Sequence, residues 1–370
     1  MPYPPVPPSP PPRTVLVLGA GGYIGLNVSR AFARAGWRVY GQVRRPEAAT
    51  KLASEEITPM LGPISSDSNF VDDLLQNISA PVDVVVSCTE TFPFNEHWEH
   101  LLSILTKVAK HAQKHDVKTL VLMTSGCKDY GHTLRHGDPN LAPHTEASPL
   151  EPQSFIKERC ESTLKVFSHT SLFDAAVIRP TPLYGYGSSF YGILFDSFSR
   201  FNTGPSAASS ATVVIPGDPN NIIHGCHITD CAAAYLSLAT HPNRSEIAGQ
   251  CFNISAAQYE TAREIVEALA VEYGIKGKIM FSSEIGGGAQ VGKELQPTAS
   301  MFDITQWVDS TKLRQLTGWK DGMAGFTQEL HAYRLAYEAA EAAGDHGVVS
   351  LRNFVNGLFM AGTDFKRDQK

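Results

Sequence analysis

The chain contains no apolar run approaching the roughly 18 residues that cross a bilayer, so no membrane span is expected. It is not basic either. Its 31 Lys and Arg stand against 37 Asp and Glu, a formal net charge of −6. Without a positive field, nucleic acid is not an expected partner. Six cysteines (88, 127, 160, 226, 231 and 251) include no Cys-x-x-Cys pair. That excludes a small disulfide scaffold and reads as reduced thiols in a cytoplasmic protein. No His, Cys, Asp or Glu cluster has metal-ligand spacing, and no Gly-x-Ser-x-Gly elbow occurs, so no metal is expected. A secretory signal is missing too: residues 1–12, MPYPPVPPSPPP, read as an extended, solvated tail.

What is present is alternation. Thr14 to Leu18 is a short apolar run ending in glycine, the pattern of a strand buried on both faces of a parallel sheet. A helical stretch follows, with Ile24, Val28, Phe32 and Ala33 on one side, and stops at Gly36. Arg38 to Val43 reads as the second strand, which completes a βαβ unit. Strands at Val84–Cys88, Thr119–Thr124 and Ala175–Arg179 alternate with helices at His97–His115 and Pro152–Phe167. The expected fold is α/β, a Rossmann-type doubly wound parallel sheet with a smaller C-terminal substrate-binding lobe. Residues 13–183 form the nucleotide domain, completed by about 222–254. Residues 184–221 read as irregular; with 255–370 they make the lobe and the C-terminal helices.

Gly19-Ala20-Gly21-Gly22-Tyr23-Ile24-Gly25 occupies the first strand-to-helix junction. Gly19 permits the tight turn, Gly22 lets backbone approach a pyrophosphate, and Gly25 allows close helix packing. The backbone of Tyr23 and Ile24 then lies at the helix N-terminus, where unpaired N–H groups face an anion. A carboxylate at the end of the second strand would accept the ribose 2′-OH of NAD. Here Arg44 and Arg45 stand there instead, and two guanidinium groups suit a 2′-phosphate. NADP(H) is the expected cofactor, with NAD(H) as the alternative.

These motifs, with Val121–Gly131, RPTPLYGYG at 179–187 and His227-Ile228-Thr229-Asp230 in that order, resemble the extended short-chain dehydrogenase/reductase family. Within it the likeness is to the NAD(P)-dependent epimerase/dehydratase group, over roughly residues 13 to 320. The resemblance implies that Cys88, Thr89, Pro180, Thr181 and Leu183 line the cofactor, and that Lys157 touches its ribose. It implies substrate contacts from Thr89, Ser125, Gln153, Tyr184 and Tyr191. It also implies a small-molecule substrate and pairing of two copies through the helices at 97–115 and 152–167.

The family's proton relay uses a Ser or Thr, a Tyr and a Lys. In Pro152-Gln153-Ser154-Phe155-Ile156-Lys157-Glu158-Arg159-Cys160-Glu161 the proline, lysine and last glutamate keep register, and Gln153 stands where the tyrosine belongs. An amide cannot exchange that proton. The other register pairs Phe155 with Arg159 and restores no phenol. Gly126 occupies the Ser/Thr position. Replacement catalysts are sought in Thr124–Gly131: Ser125 to bind a carbonyl, Lys128 or Tyr130 to supply a proton, with Lys157 retained. For Lys157 the alternative is an ion pair with Glu161.

Phe190, Tyr191, Phe195 and Phe198 read either as an aromatic lining for a ring compound or as plain core. The leading expectation is an NADPH-dependent oxidoreductase on a small carbonyl or hydroxyl compound, with a non-standard proton donor. A redox-silent isomerase, lyase or cyclase is one alternative, and a non-catalytic NADP-binding regulator the other.

Overall fold

β1 (Thr14–Leu18) is buried at every position, as a strand covered on both faces requires. The computed structural model describes residues 12–187, 189–203, 212–285, 290–353 and 355. All but the last residue of the expected proline tail lies outside the described residues. After β1 come α1 (Tyr23–Arg34), β2 (Arg38–Val43), α2 (Pro46–Ala53) and β3 (Thr58–Leu61). They are followed by α3 (Phe70–Asn77), β4 (Val84–Ser87), α4 (Phe94–Gln113) and β5 (Leu120–Thr124).

Parallel pairing joins β3 to β2, β2 to β1, β1 to β4 and β4 to β5. With β6 (Asp174–Pro180) and the strand Gln250–Ile254 the sheet has seven strands. Their order is Gln250–Ile254, β6, β5, β4, β1, β2, β3. The winding reverses between β1 and β4, so this is the doubly wound sheet that the alternation predicts, with its switch point at the glycine turn.

The chain divides into two compact units. The first comprises Met1–Met123, Ser162–Ala176 and Pro242–Gly249. Its buried residues include all of β1 and β4, Val28 and Phe32 of α1, and Leu101, Ile104, Leu105 and Val108 of α4. Those α4 positions recur at three- and four-residue spacing, which makes one apolar face.

The second unit comprises Thr124–Glu161, Val177–His241 and Gln250–Lys370. It contains α5 (Ser154–Leu164) up to Glu161, with α6 (Gly192–Thr203), α7 (Ile228–Thr240) and α8 (Ala262–Glu272). α6 corrects the reading of 184–221 as irregular, as do the strands Thr212–Ile215 and Ile222–Ile223. Leu194, Phe198 and Phe201 follow helical spacing and, with Tyr191 and Phe195, belong to the core of this unit. Gly, Ser, Asn and Pro around them obscured that period. Among the described residues no helix is long and apolar enough to cross a membrane, and no disulfide links the six cysteines.

Candidate functional site

In the first unit, Gly19 has φ +77°, a left-handed conformation that favours glycine. A Cβ at Gly25 would lie 2.2 Å from the Gly19 carbonyl oxygen, so helix and turn touch backbone to backbone there. At Gly22 the added Cβ would come no closer than 3.3 Å to that oxygen. Gly22 is the N-cap of α1, offers no side-chain cap, and the first turn holds no acidic residue. The N–H groups and positive dipole end of a helix N-terminus without an acidic residue in its first turn fit a pyrophosphate.

Gln42, a residue that the sequence reading passed over, braces this turn from β2. Its Oε1 accepts the Gly19 N–H at 3.0 Å, and its amide donates to the Gly62 carbonyl beyond β3. A lone polar residue inside an apolar strand was the available signal. Past it, Arg44 is exposed and Arg45 half-buried. Neither makes an ion pair among the described residues. No carboxylate stands at the strand end, so the position suits a phosphate dianion.

Thr89 follows β4 and packs on the turn: a Cβ at Gly19 would meet its Cγ2 at 2.9 Å and the Cys88 carbonyl oxygen at 2.8 Å. His97, near the start of α4, lies behind it. The Thr89 hydroxyl is 3.1 Å from His97 Nε2 and 3.2 Å from Ser87 Oγ. His97 is only 8% exposed, and burial holds its imidazole below the ordinary histidine value.

In the second unit, the turn after β5 is built around Asp129, which is 1% exposed. Its carboxylate accepts from Ser125 Oγ at 2.5 Å, from Arg159 Nη2 at 2.7 Å and from Arg179 Nε at 3.2 Å. Gln306 clamps the same turn, donating to the carbonyls of Cys127 and Gly131. Ser125 therefore has its single proton committed to a carboxylate. What it retains is acceptor capacity, which suits a substrate hydroxyl better than the carbonyl first envisaged for it.

Tyr130 is fully enclosed. Its hydroxyl donates to Asn253 Oδ1 at 2.8 Å and accepts from Arg179 Nη1 at 3.2 Å, and burial pushes the phenol up to about 12. Such a group braces the turn and gives up no proton near neutrality. Lys128 differs. It makes no ion pair among the described residues, and burial draws its ammonium below the usual lysine range. Arg159 adds to that effect, while Cys127 opposes it.

α5 turns Ile156 and Cys160 inward. Lys157, one position on from Ile156, is exposed and faces Glu161 across 3.9 Å. The residue of α5 that reaches the turn is Arg159: a Cβ at Gly126 would lie 3.5 Å from its guanidinium. Gln153 precedes α5 in an exposed position, 3.4 Å from His132 Nε2. Neither register brings a phenol to Gly126.

Pro180, Thr181 and Leu183 are buried. Thr181 is 2% exposed, and its hydroxyl has no hydrogen-bond partner among the described residues. Tyr184 donates to the Ala324 carbonyl at 3.0 Å, and Tyr191 is 0% exposed with its ring 4.5 Å from that of Phe326. Both belong to the core cluster of this unit, a position that gives a substrate no free face of Tyr191. His227 caps α7, accepting the Thr229 N–H on Nδ1, and burial lowers it to about 4.

The sequence model of the NAD dependent epimerase/dehydratase family matches residues 15–255. Among solved structures, UDP-glucose 4-epimerase from Thermotoga maritima is 17% identical, with TM-score 0.64 over 88% of this chain and 99% of that one. dTDP-glucose 4,6-dehydratase from Bacillus anthracis, in complex with NAD, is 18% identical, with TM-score 0.63 over 89% and 98%. RMD from Pseudomonas aeruginosa, complexed with NADPH, is 17% identical, with TM-score 0.56 over 88% and 100%. These likenesses establish the fold. No curated protein matches the chain in sequence.

Proposed function

The chain belongs to the NAD dependent epimerase/dehydratase family, and from that premise we propose that it is an NADPH-dependent oxidoreductase whose proton donor is Lys128. Its substrate in this reading is a small hydroxyl or carbonyl compound. The observation that carries the cofactor assignment is the pair Arg44 and Arg45, without ion-pair partners, at the end of β2 beside a glycine turn. A 2′-phosphate gives two guanidinium groups the counter-charge that the protein does not. NADPH beside RMD supports the choice, although NAD beside the dehydratase shows that this fold accommodates either nucleotide.

When bound, the nicotinamide supplies or accepts a hydride. The residues of the chain handle the proton. An ammonium made more acidic by burial delivers a proton to a forming alkoxide; as the free amine it takes one from an alcohol. Ser125, with its proton held by Asp129, orients a substrate hydroxyl by accepting from it. Lys157, exposed and beside Glu161, keeps a ribose contact only if its side chain leaves that partner. Tyr191, Phe195 and Phe198 of the aromatic stripe are core and Phe190 is exposed, so the stripe lines no pocket for a ring substrate.

Calorimetric titration with NADPH and NADH in parallel tests the cofactor assignment, followed by a carbonyl and alcohol screen read by nicotinamide absorbance. Tight binding of NADPH and turnover that Lys128→Met abolishes are the expected results. Turnover with no absorbance change would replace this reading with the redox-silent one. Binding of neither nucleotide would remove the redox reading altogether.

A further inference from the structure

Two hydroxyls and one imidazole meet beside the glycine turn. Thr89 stands on the turn itself, close enough that a Cβ on Gly19 would touch it at 2.9 Å. Ser87 Oγ, Thr89 Oγ1 and His97 Nε2 form a chain with spacings of 3.2 and 3.1 Å. Ser87 and His97 are buried and Thr89 half-buried, so Thr89 is the member of the chain that a ligand can reach.

We propose that His97 is a positioning residue that orients the proton of Thr89, the side chain that the dinucleotide reading already sets beside the cofactor. The inference rests on the dinucleotide reading above. With neutral His97, Thr89 can spend its one proton on Nε2. With protonated His97, both ring nitrogens donate, so Thr89 must accept from Nε2 and turn its proton toward Ser87 or a ligand oxygen. Ser87 can itself donate to Thr89, which leaves the ligand as the acceptor. Protonation also adds a positive charge behind an anion site.

The neighbours of His97 set the direction of this coupling. Burial disfavours its protonation most, a hydrogen bond with the Thr89 backbone opposes that, and His100 one turn along α4 and Arg44 at the end of β2 add to the burial effect. Glu96 faces His100 at 3.8 Å, and Glu90 is exposed in the loop after β4, where Cys88 also lies. From the segment Ser162–Ala176, Lys165 bonds Asn95 and His169 stacks near Trp98. None of these groups is a carboxylate hydrogen-bonded to His97 among the described residues, and a dinucleotide phosphate would supply that negative charge. Binding and protonation then favour each other.

The test uses the full chain and NADH, because NADH lacks the 2′-phosphate whose own titration would confuse the result. Calorimetry at several pH values, in buffers of different ionisation enthalpy, reads affinity and proton uptake together. The affinity of the unmodified chain should rise about threefold or more between about pH 7.5 and about pH 5.5, with net proton uptake. His97→Gln keeps a donor at the Nε2 position but cannot titrate. It should bind NADH with no such rise and no uptake, while His97→Leu should bind weakly at every pH. Histidine NMR should show the His97 titration moving up on adding NADH. Binding that is independent of pH, or an unchanged pH dependence in His97→Gln, overturns the role of His97 and leaves the dinucleotide reading intact. No binding of NADH or NADPH at any pH overturns both.

Discussion

Arg159 donates a 2.7 Å hydrogen bond to Asp129, and in doing so an α5 side chain takes over the space beside Gly126. The same carboxylate holds Ser125 and Arg179, itself 2% exposed. Asp129→Asn would leave one buried and one partly buried cation facing a neutral amide. The expected cost is about 3 kcal/mol, read as a fall in the urea midpoint of unfolding. The double variant with Arg159→Met should lose less than the sum of the two single losses, because one substitution relieves the other.

Two glycines of the same turn should separate binding from folding. Gly25→Ala forces a Cβ against backbone at 2.2 Å, an overpacking that costs about 2 kcal/mol and lowers Tm. Gly22→Ala meets nothing closer than 3.3 Å, so Tm should change little. Its methyl stands where a pyrophosphate would approach, and dinucleotide affinity should fall about tenfold. Equal thermal losses in both variants would show that Gly22 serves packing alone.

Arg44→Ala with Arg45→Ala should weaken NADPH by about 100-fold, roughly 2.7 kcal/mol, and leave NADH nearly unchanged. Both side chains reach solvent to some extent, so the difference should shrink as salt rises. Calorimetry at low and high ionic strength checks this.

Lys128→Met should stabilise the fold at neutral pH while removing the proposed proton donor. Burial lowers the ammonium's proton affinity from its ordinary 10.5 in the folded chain. The unfolded chain therefore holds more protons, and the unmodified protein gains stability as pH rises from the lowered value toward 10.5. The Met variant lacks that gain. Its thermal advantage should be largest near neutrality and narrow toward alkaline pH. An advantage that does not change with pH would mean the lysine keeps its ordinary proton affinity.

The turn from Gly19 to Gly25 and the arginines after β2 were readable because each rests on neighbours a few residues away. Apolar runs revealed β1 and β2 for the same reason. The aromatic spacing of α6 was also present, but the glycines and prolines around it drew the reading toward loop. His97, Gln42 and Asp129 were not singled out. Each acts through a partner distant in the chain or across a turn, and nothing in its local surroundings marks it.

The sequence by itself determined the alternating α/β pattern and the glycine-rich turn between β1 and α1. Local backbone preference and residue chemistry suffice for those. Tertiary structure alone decided which face of α5 is buried, and hence that Arg159 rather than Lys157 reaches Asp129. It also decided that Tyr130 is locked while Lys128 is perturbed. Burial and charge neighbours set proton affinity, and both are properties of the packed chain rather than of its order.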